Sequence, residues 1–95
     1  MQPLTRTALF RLLGDEDRLQ LLAMCAQDEL TVGELAALLD ESQPQVTKKT
    51  QPLREAGLLT ARRDGTRTLL SMAQALPETD RVIVDAALVE VRQGR

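Results

Sequence analysis

The chain has no histidine, no tryptophan and no tyrosine, a single cysteine (Cys25) and a single aromatic residue (Phe10). Each absence excludes something. Acid–base chemistry near neutral pH usually recruits histidine, so the commonest catalytic side chain is missing. One cysteine cannot close a disulfide within the chain, nor can it assemble a thiolate site for a soft metal. Without large rings, the core has to be filled by Leu, Ala and Val. No GxGxxG, P-loop, CxxC or HExxH pattern occurs, and no apolar run is long enough to cross a bilayer. Arg6 and Arg11 interrupt the first apolar stretch, so no signal peptide is expected there and a cytoplasmic protein is. Carboxylates could act alone, but none stands in an apolar run that would raise its pKa. The composition therefore points away from an enzyme.

Ninety-five residues suit one domain, spanning 1–95. A domain this small buries only about two-thirds of its unfolded surface, so pairing with a second copy would add missing burial. The net charge is −2, but it is unevenly spread. Residues 1–41 carry three basic and eight acidic groups, for −5. Residues 42–67 carry Lys48, Lys49, Arg54, Arg62, Arg63 and Arg67 against Glu55 and Asp64, for +4. Residues 68–95 carry three basic and four acidic groups, for −1. A basic block on an acidic body is either a solvated face or a footprint for phosphate.

Periodicity places the elements. Leu4, Ala8, Leu9, Leu12 and Leu13 have helical spacing over 4–13, and Gly14 ends that run. Asp15 caps a second helix over about 16–27, with Leu19, Leu22, Ala23 and Ala26 on one face. Thr31 and Glu34 have capping-box spacing, so a third helix runs over about 32–39 and buries Leu35, Leu38 and Leu39. A short polar turn leads to a fourth helix. Ser42 or Gln43 caps it, Pro44 lies in its first turn, Val46, Thr50 and Leu53 point inward, and Gly57 stops it.

Pro52 interrupts that fourth helix. It cannot donate to the Lys48 carbonyl, and it biases Gln51 away from helical angles. The expectation is a helix kinked or split near residues 48–52.

After Gly57 the period changes to two. Asp64-Gly65 between extended runs signals a hairpin, with strands over about 58–63 and 66–72 and arginines crowding its tip. Over 78–92, Val82, Ile83 and Val84 alone would suit a strand, but the length and spacing favour a helix. That helix is apolar almost all round, as a helix buried on two sides would be. The fold class is mainly α with a small β-hairpin: four helices, a two-stranded wing and a C-terminal dimerisation helix.

A tight helix pair followed by a basic hairpin is the arrangement of a winged helix-turn-helix. The segments "LLGDEDRLQLLAMC", "ELTVGELAALL", "SQPQVTKK" and "LREAGLLTARRDGTRTLLSM" resemble the ArsR/SmtB family of bacterial repressors over about residues 8–72. The resemblance implies a homodimer paired through about 3–13 and 78–92, with double-stranded DNA carrying a palindromic operator as its partner.

With Val46 inward, steps of about 100° turn Lys48 and Gln51 outward, flanked by Gln45 and Thr47. Gln45 suits adenine and Lys48 suits guanine. Thr47 suits a thymine methyl or a phosphate, and Lys49, nearer the core, suits phosphate. Gln43 lies at the helix start, where backbone amides favour phosphate. Arg62, Arg63 and Arg67 are wing candidates for phosphate or the minor groove.

The chain also departs from the family. Thr47-Lys48-Lys49-Thr50 stands where Ser-Arg-His-Leu is usual, and metal-sensing members carry cysteines in the third helix or histidine and acidic ligands in the last. Here "TVGEL" has no cysteine, and Asp80, Asp85 and Glu90 read as surface charges. No cofactor and no metal are expected, and control would come from a small molecule at the dimer interface, from a protein partner, or from the protein's own concentration. The rival reading is a drifted winged helix that binds a protein partner instead of DNA.

Overall fold

A computed structural model of the chain describes residues 4–93. Residue 3, where the first expected pairing segment begins, lies outside them. The order is α1 (Arg6–Leu13), α2 (Glu16–Gln27), β1 (Leu30–Thr31), α3 (Val32–Leu39), α4 (Gln43–Glu55), β2 (Leu59–Asp64), β3 (Arg67–Met72) and α5 (Glu78–Gln93).

Local chemistry explains most of these boundaries. Thr5 and Asp15 cap α1 and α2 by accepting from backbone amides in the first turn. At α3 the Glu34 amide donates to Thr31 Oγ1 (3.0 Å) while the Thr31 amide donates to Glu34 Oε1 (2.8 Å). Ser42 and Gln45 repeat this reciprocal cap at α4. The far end of α4 closes on Gly57, whose φ of +81° is left-handed. The Gly57 amide donates to the Arg54 carbonyl and the Leu58 amide to the Leu53 carbonyl. These two bonds form a Schellman motif and turn the chain sharply into β2.

The helix α4 is not split. It continues through Pro52 to Glu55, so of the expected kink or split the split does not occur. The carbonyl that Pro52 cannot serve belongs to Lys48, an exposed residue, so water can satisfy it. Anchors on both sides hold the segment helical through this defect. Val46 and Leu53 are fully buried, and Thr50 is buried with its hydroxyl donating to the Thr47 carbonyl (3.1 Å).

The hairpin forms with Asp64 opposite Arg67, so the two loop residues are Gly65 and Thr66. Gly65 has φ +66° and Thr66 does not share the positive φ, as in a type II′ turn. The sheet has three strands rather than two. The two-residue β1 pairs antiparallel with β3, Leu30 opposite Leu70 and Thr31 opposite Leu69, in the order β1-β3-β2.

The core is aliphatic. Leu9, Leu21, Leu22, Leu35, Leu53, Leu58, Leu70, Val84 and Leu88 are inaccessible to solvent. Central α2 touches α1, α4, α5 and β3. One expected core residue is outside: Leu38 is 65% exposed, while Leu35 is buried and Leu39 half-buried. With only two turns, α3 gives the core a narrow stripe, and Leu38 falls beyond it. Phe10, Val82 and Val89 are also exposed.

Candidate nucleic-acid interface

The surface in question is the outward side of α4 together with the hairpin tip. With Val46, Thr50 and Leu53 buried, helical geometry turns Gln43, Gln45, Thr47, Lys48, Gln51 and Arg54 to solvent. Four of these, Gln43, Thr47, Gln51 and Arg54, follow one another at spacings of four, four and three along a single stripe. Arg54 was not singled out from the sequence, although this spacing was the signal for it. It also lies in the last helical turn, where a cation favours the helix dipole.

The nine candidates divide by what already holds them. Lys48 and Thr47 are exposed, and among the described residues nothing pairs with their side chains. Arg63 at the tip is likewise exposed. The Gln43 amide lies over Gly33 at the start of α3, where an added Cβ would meet it at 3.4 Å. The Gln45 Oε1 accepts from the Ser42 amide at 3.0 Å. A bidentate pairing with adenine needs that same oxygen, so Gln45 would have to leave its cap to make it. Gln51 Nε2 donates to Glu55 Oε2 at 3.1 Å.

Three cations are already paired. Arg67 meets Asp64 at 3.4 Å across the loop, both well exposed, which is a weak pair. The Arg62 guanidinium donates from Nε and Nη2 to the two oxygens of Glu29, each at 2.7 Å. This fork raises the Arg62 pKa and lowers that of Glu29 through the hydrogen bond itself. Lys49 Nζ sits 2.5 Å from Glu41 Oε2 and 3.0 Å from Asp17 Oδ2, and its pKa is raised by Glu41 first and Asp17 second. Arg62 and Arg63 point to opposite faces of the sheet, because neighbouring strand residues alternate.

The helix-turn-helix domain model matches residues 5–62 of this chain. The chain is 35% identical over 80 residues to the arsenical resistance operon repressor of Escherichia coli, which covers 83% of this chain and 68% of that protein. The chain belongs to the ArsR-like winged helix-turn-helix regulators. Against the biofilm growth-associated repressor of Agrobacterium fabrum it is 38% identical over 66 residues, 70% of this chain and only 56% of that protein's length. In three dimensions it is similar to a homodimeric winged helix-turn-helix DNA-binding domain from Mycobacterium bovis. The TM-score is 0.72 at 27% identity, covering 90% of this chain and 76% of that one.

The donor set of this ArsR-like chain does not suit a thiophilic metal. Cys25 is the lone thiol and the chain has no histidine. No group of three potential ligands comes together among the described residues. Asp80 and Asp85 face Arg6 (3.9 Å) and Arg81 (3.5 Å) instead.

Cys25 is buried at 2% exposure, and burial pushes its thiol up to about 11. It should therefore resist thiolate-directed reagents. Alkylation by iodoacetamide at pH 8 is expected to proceed only as fast as the chain opens. Because the folded thiol holds its proton more tightly than the unfolded one, this contribution to stability is intact below pH 9.0 and lost as pH rises towards about 11. Urea midpoints across that window should fall more for the wild type than for Cys25→Ala.

Proposed function

We propose that this chain is a homodimeric, sequence-specific DNA-binding repressor whose α4 enters the major groove while the β2–β3 hairpin lies along the backbone. The observation that carries the reading is the unpartnered Lys48, beside Thr47 and Gln43 on the exposed side of α4. The helix before it is short, the turn between them is tight, and Arg63 stands at the tip of the hairpin that follows. Lys48 is the base-edge or phosphate donor of the set, Thr47 and Gln43 position the helix, and Arg63 and Arg67 meet phosphate. Gln45, Gln51 and Arg62 can join only by exchanging a partner they already hold.

The pairing surface is the outer side of α1 and α5. Val82, Ala86 and Val89 are exposed at helical spacing on α5, and Phe10 is 55% exposed on α1, which packs against α5. Twofold pairing there presents two copies of α4 to successive major grooves about 34 Å apart, which calls for a palindromic operator. The homodimeric M. bovis neighbour supports this reading. The effector is a small molecule or a protein, since the side chains do not suit a soft metal.

A duplex selected by the protein from a random-sequence pool provides the probe. Each phosphate contact contributes about 0.9 to the slope of log affinity against log salt. Lys48→Ala with Arg63→Ala removes two contacts per protomer, so the slope should fall by roughly four per dimer. Fluorescence anisotropy across a salt series measures it. A salt-independent interaction, or a wild-type protein that selects no duplex and instead retains one stoichiometric protein partner, would favour the protein-interaction reading.

A further inference from the structure

We propose that Lys49 is a positioning residue: its ammonium sets the rotation of α4 by clamping it to two other elements and does not itself meet DNA. This rests on the DNA-binding reading above. The hydrophobic hold on α4 is slight. Only Val46 and Leu53 are fully buried apolar anchors, and Thr50 between them is small. A helix held on so narrow a stripe can roll, and each roll of a few tens of degrees exchanges the side chains facing the groove.

Lys49 lies on the flank of that stripe. It reaches Glu41 in the α3–α4 turn (2.5 Å) and Asp17 in the first turn of α2 (3.0 Å). One side chain thus ties together the middle of α4, the turn that aims it and the helix behind it. The Lys49–Glu41 half of the clamp is partly withdrawn from solvent, at 29% and 25% side-chain exposure, while Asp17 is 61% exposed.

Charge and geometry argue against Lys49 as a donor to phosphate. To reach DNA it would have to release both carboxylates, leaving Glu41 and Asp17 to repel the same phosphate. Glu41 would lose more than a surface acid would. Its Oε1 is already buried without a hydrogen-bond partner, so Lys49 supplies the compensation on its other oxygen. The neighbouring lysines therefore have different tasks: Lys48 faces outward and binds, and Lys49 faces sideways and aims.

Two readouts distinguish aiming from contact: the ratio of affinity for the selected duplex to affinity for unrelated DNA, and the salt slope. Lys49→Met is expected to lower the ratio about a hundredfold, the cost of one mispositioned base contact in each protomer, with the slope at its wild-type value. The near-isosteric pair Asp17→Asn with Glu41→Gln, which leaves Lys49 in place, should lower the ratio by a similar factor. Adding Lys49→Met to that pair should lower it no further, because all three groups act as one unit. Lys49→Arg, whose fork can span two carboxylates, should restore the wild-type ratio, which a general loss of folding would not permit.

A slope reduced by about 0.9 per protomer in Lys49→Met would overturn the inference, since that is the mark of a phosphate contact. So would a carboxylate variant with an undiminished ratio and a steeper slope, the result of freeing a cation to bind phosphate. If the wild type selects no duplex at all, the DNA-binding reading itself falls. If it does and these variants behave otherwise, only the role of Lys49 falls.

Discussion

Replacing Val82 with glutamate should leave a folded chain that no longer pairs, and should weaken operator binding by at least about a hundredfold. Val82 is 61% exposed and Val89 is 47% exposed, seven residues apart on one side of α5, with Ala86 between them. Phe10, the only aromatic in the chain, is exposed on α1, which packs against α5, and a solitary domain would gain nothing by showing these side chains. Full burial of each large apolar side chain would contribute about 1.5–3 kcal/mol, and twofold symmetry counts every residue twice. Two glutamates facing each other there would remove that gain and add buried charge. Because the Val82 side chain makes little contact within its own protomer, the fold should survive. Separated protomers would each grip one half-site, and the advantage of a linked second site, about 10²- to 10⁴-fold, would be lost. Sedimentation velocity reads the pairing and anisotropy reads the affinity. A Val82→Glu protein that remains a dimer would show that the chain pairs through some other surface.

Pro52→Ala should stabilise the protein by about 2 kcal/mol. A proline within a helix costs about 3 kcal/mol, through the missing amide and the clash of its ring with the carbonyl four residues back. Here that carbonyl is Lys48's, and α4 is held helical on both sides of the defect by Val46, Leu53 and the Gly57 closure. Alanine would restore the Lys48 bond. Against this, the unfolded chain would regain freedom worth about 0.4–1 kcal/mol. A higher urea midpoint at unchanged m-value is the expected result. A lower midpoint would mean that the half-buried proline ring contributes packing that outweighs the lost bond.

The parts of this fold that were legible in the sequence are those set by neighbours along the chain. Thr31 with Glu34 is a cap read within four residues, whereas at α4 the sequence left Ser42 and Gln43 as alternatives and missed Gln45 as the reciprocal partner. Gly57 and Asp64-Gly65 mark turns that only a few residue types favour, although the loop itself sits one residue later, at Gly65-Thr66. The inward positions Val46, Thr50 and Leu53 follow from the helical period alone. What escaped depends on tertiary contact. The strand β1 is two residues long and exists only because β3 lies beside it. Leu38 has the same spacing as its buried neighbours but falls outside the narrow contact of a two-turn helix. Whether Pro52 splits α4 was decided by anchors on both sides of it. The fates of Lys49 and Arg62 were set by partners distant in the chain, Asp17 for one and Glu29 for the other. Charge patterning could locate the basic block, but it could not show which cations were already spoken for.

On the proposed reading, two copies of α4, related by a twofold axis, read two half-sites on one face of the double helix. Inserting about five base pairs between the half-sites of the selected duplex rotates one of them to the opposite face. Affinity for this duplex should drop to that for unrelated DNA. Affinity unchanged by the insertion would contradict it, because only independent protomers, or a surface that does not read the groove, could ignore that rotation.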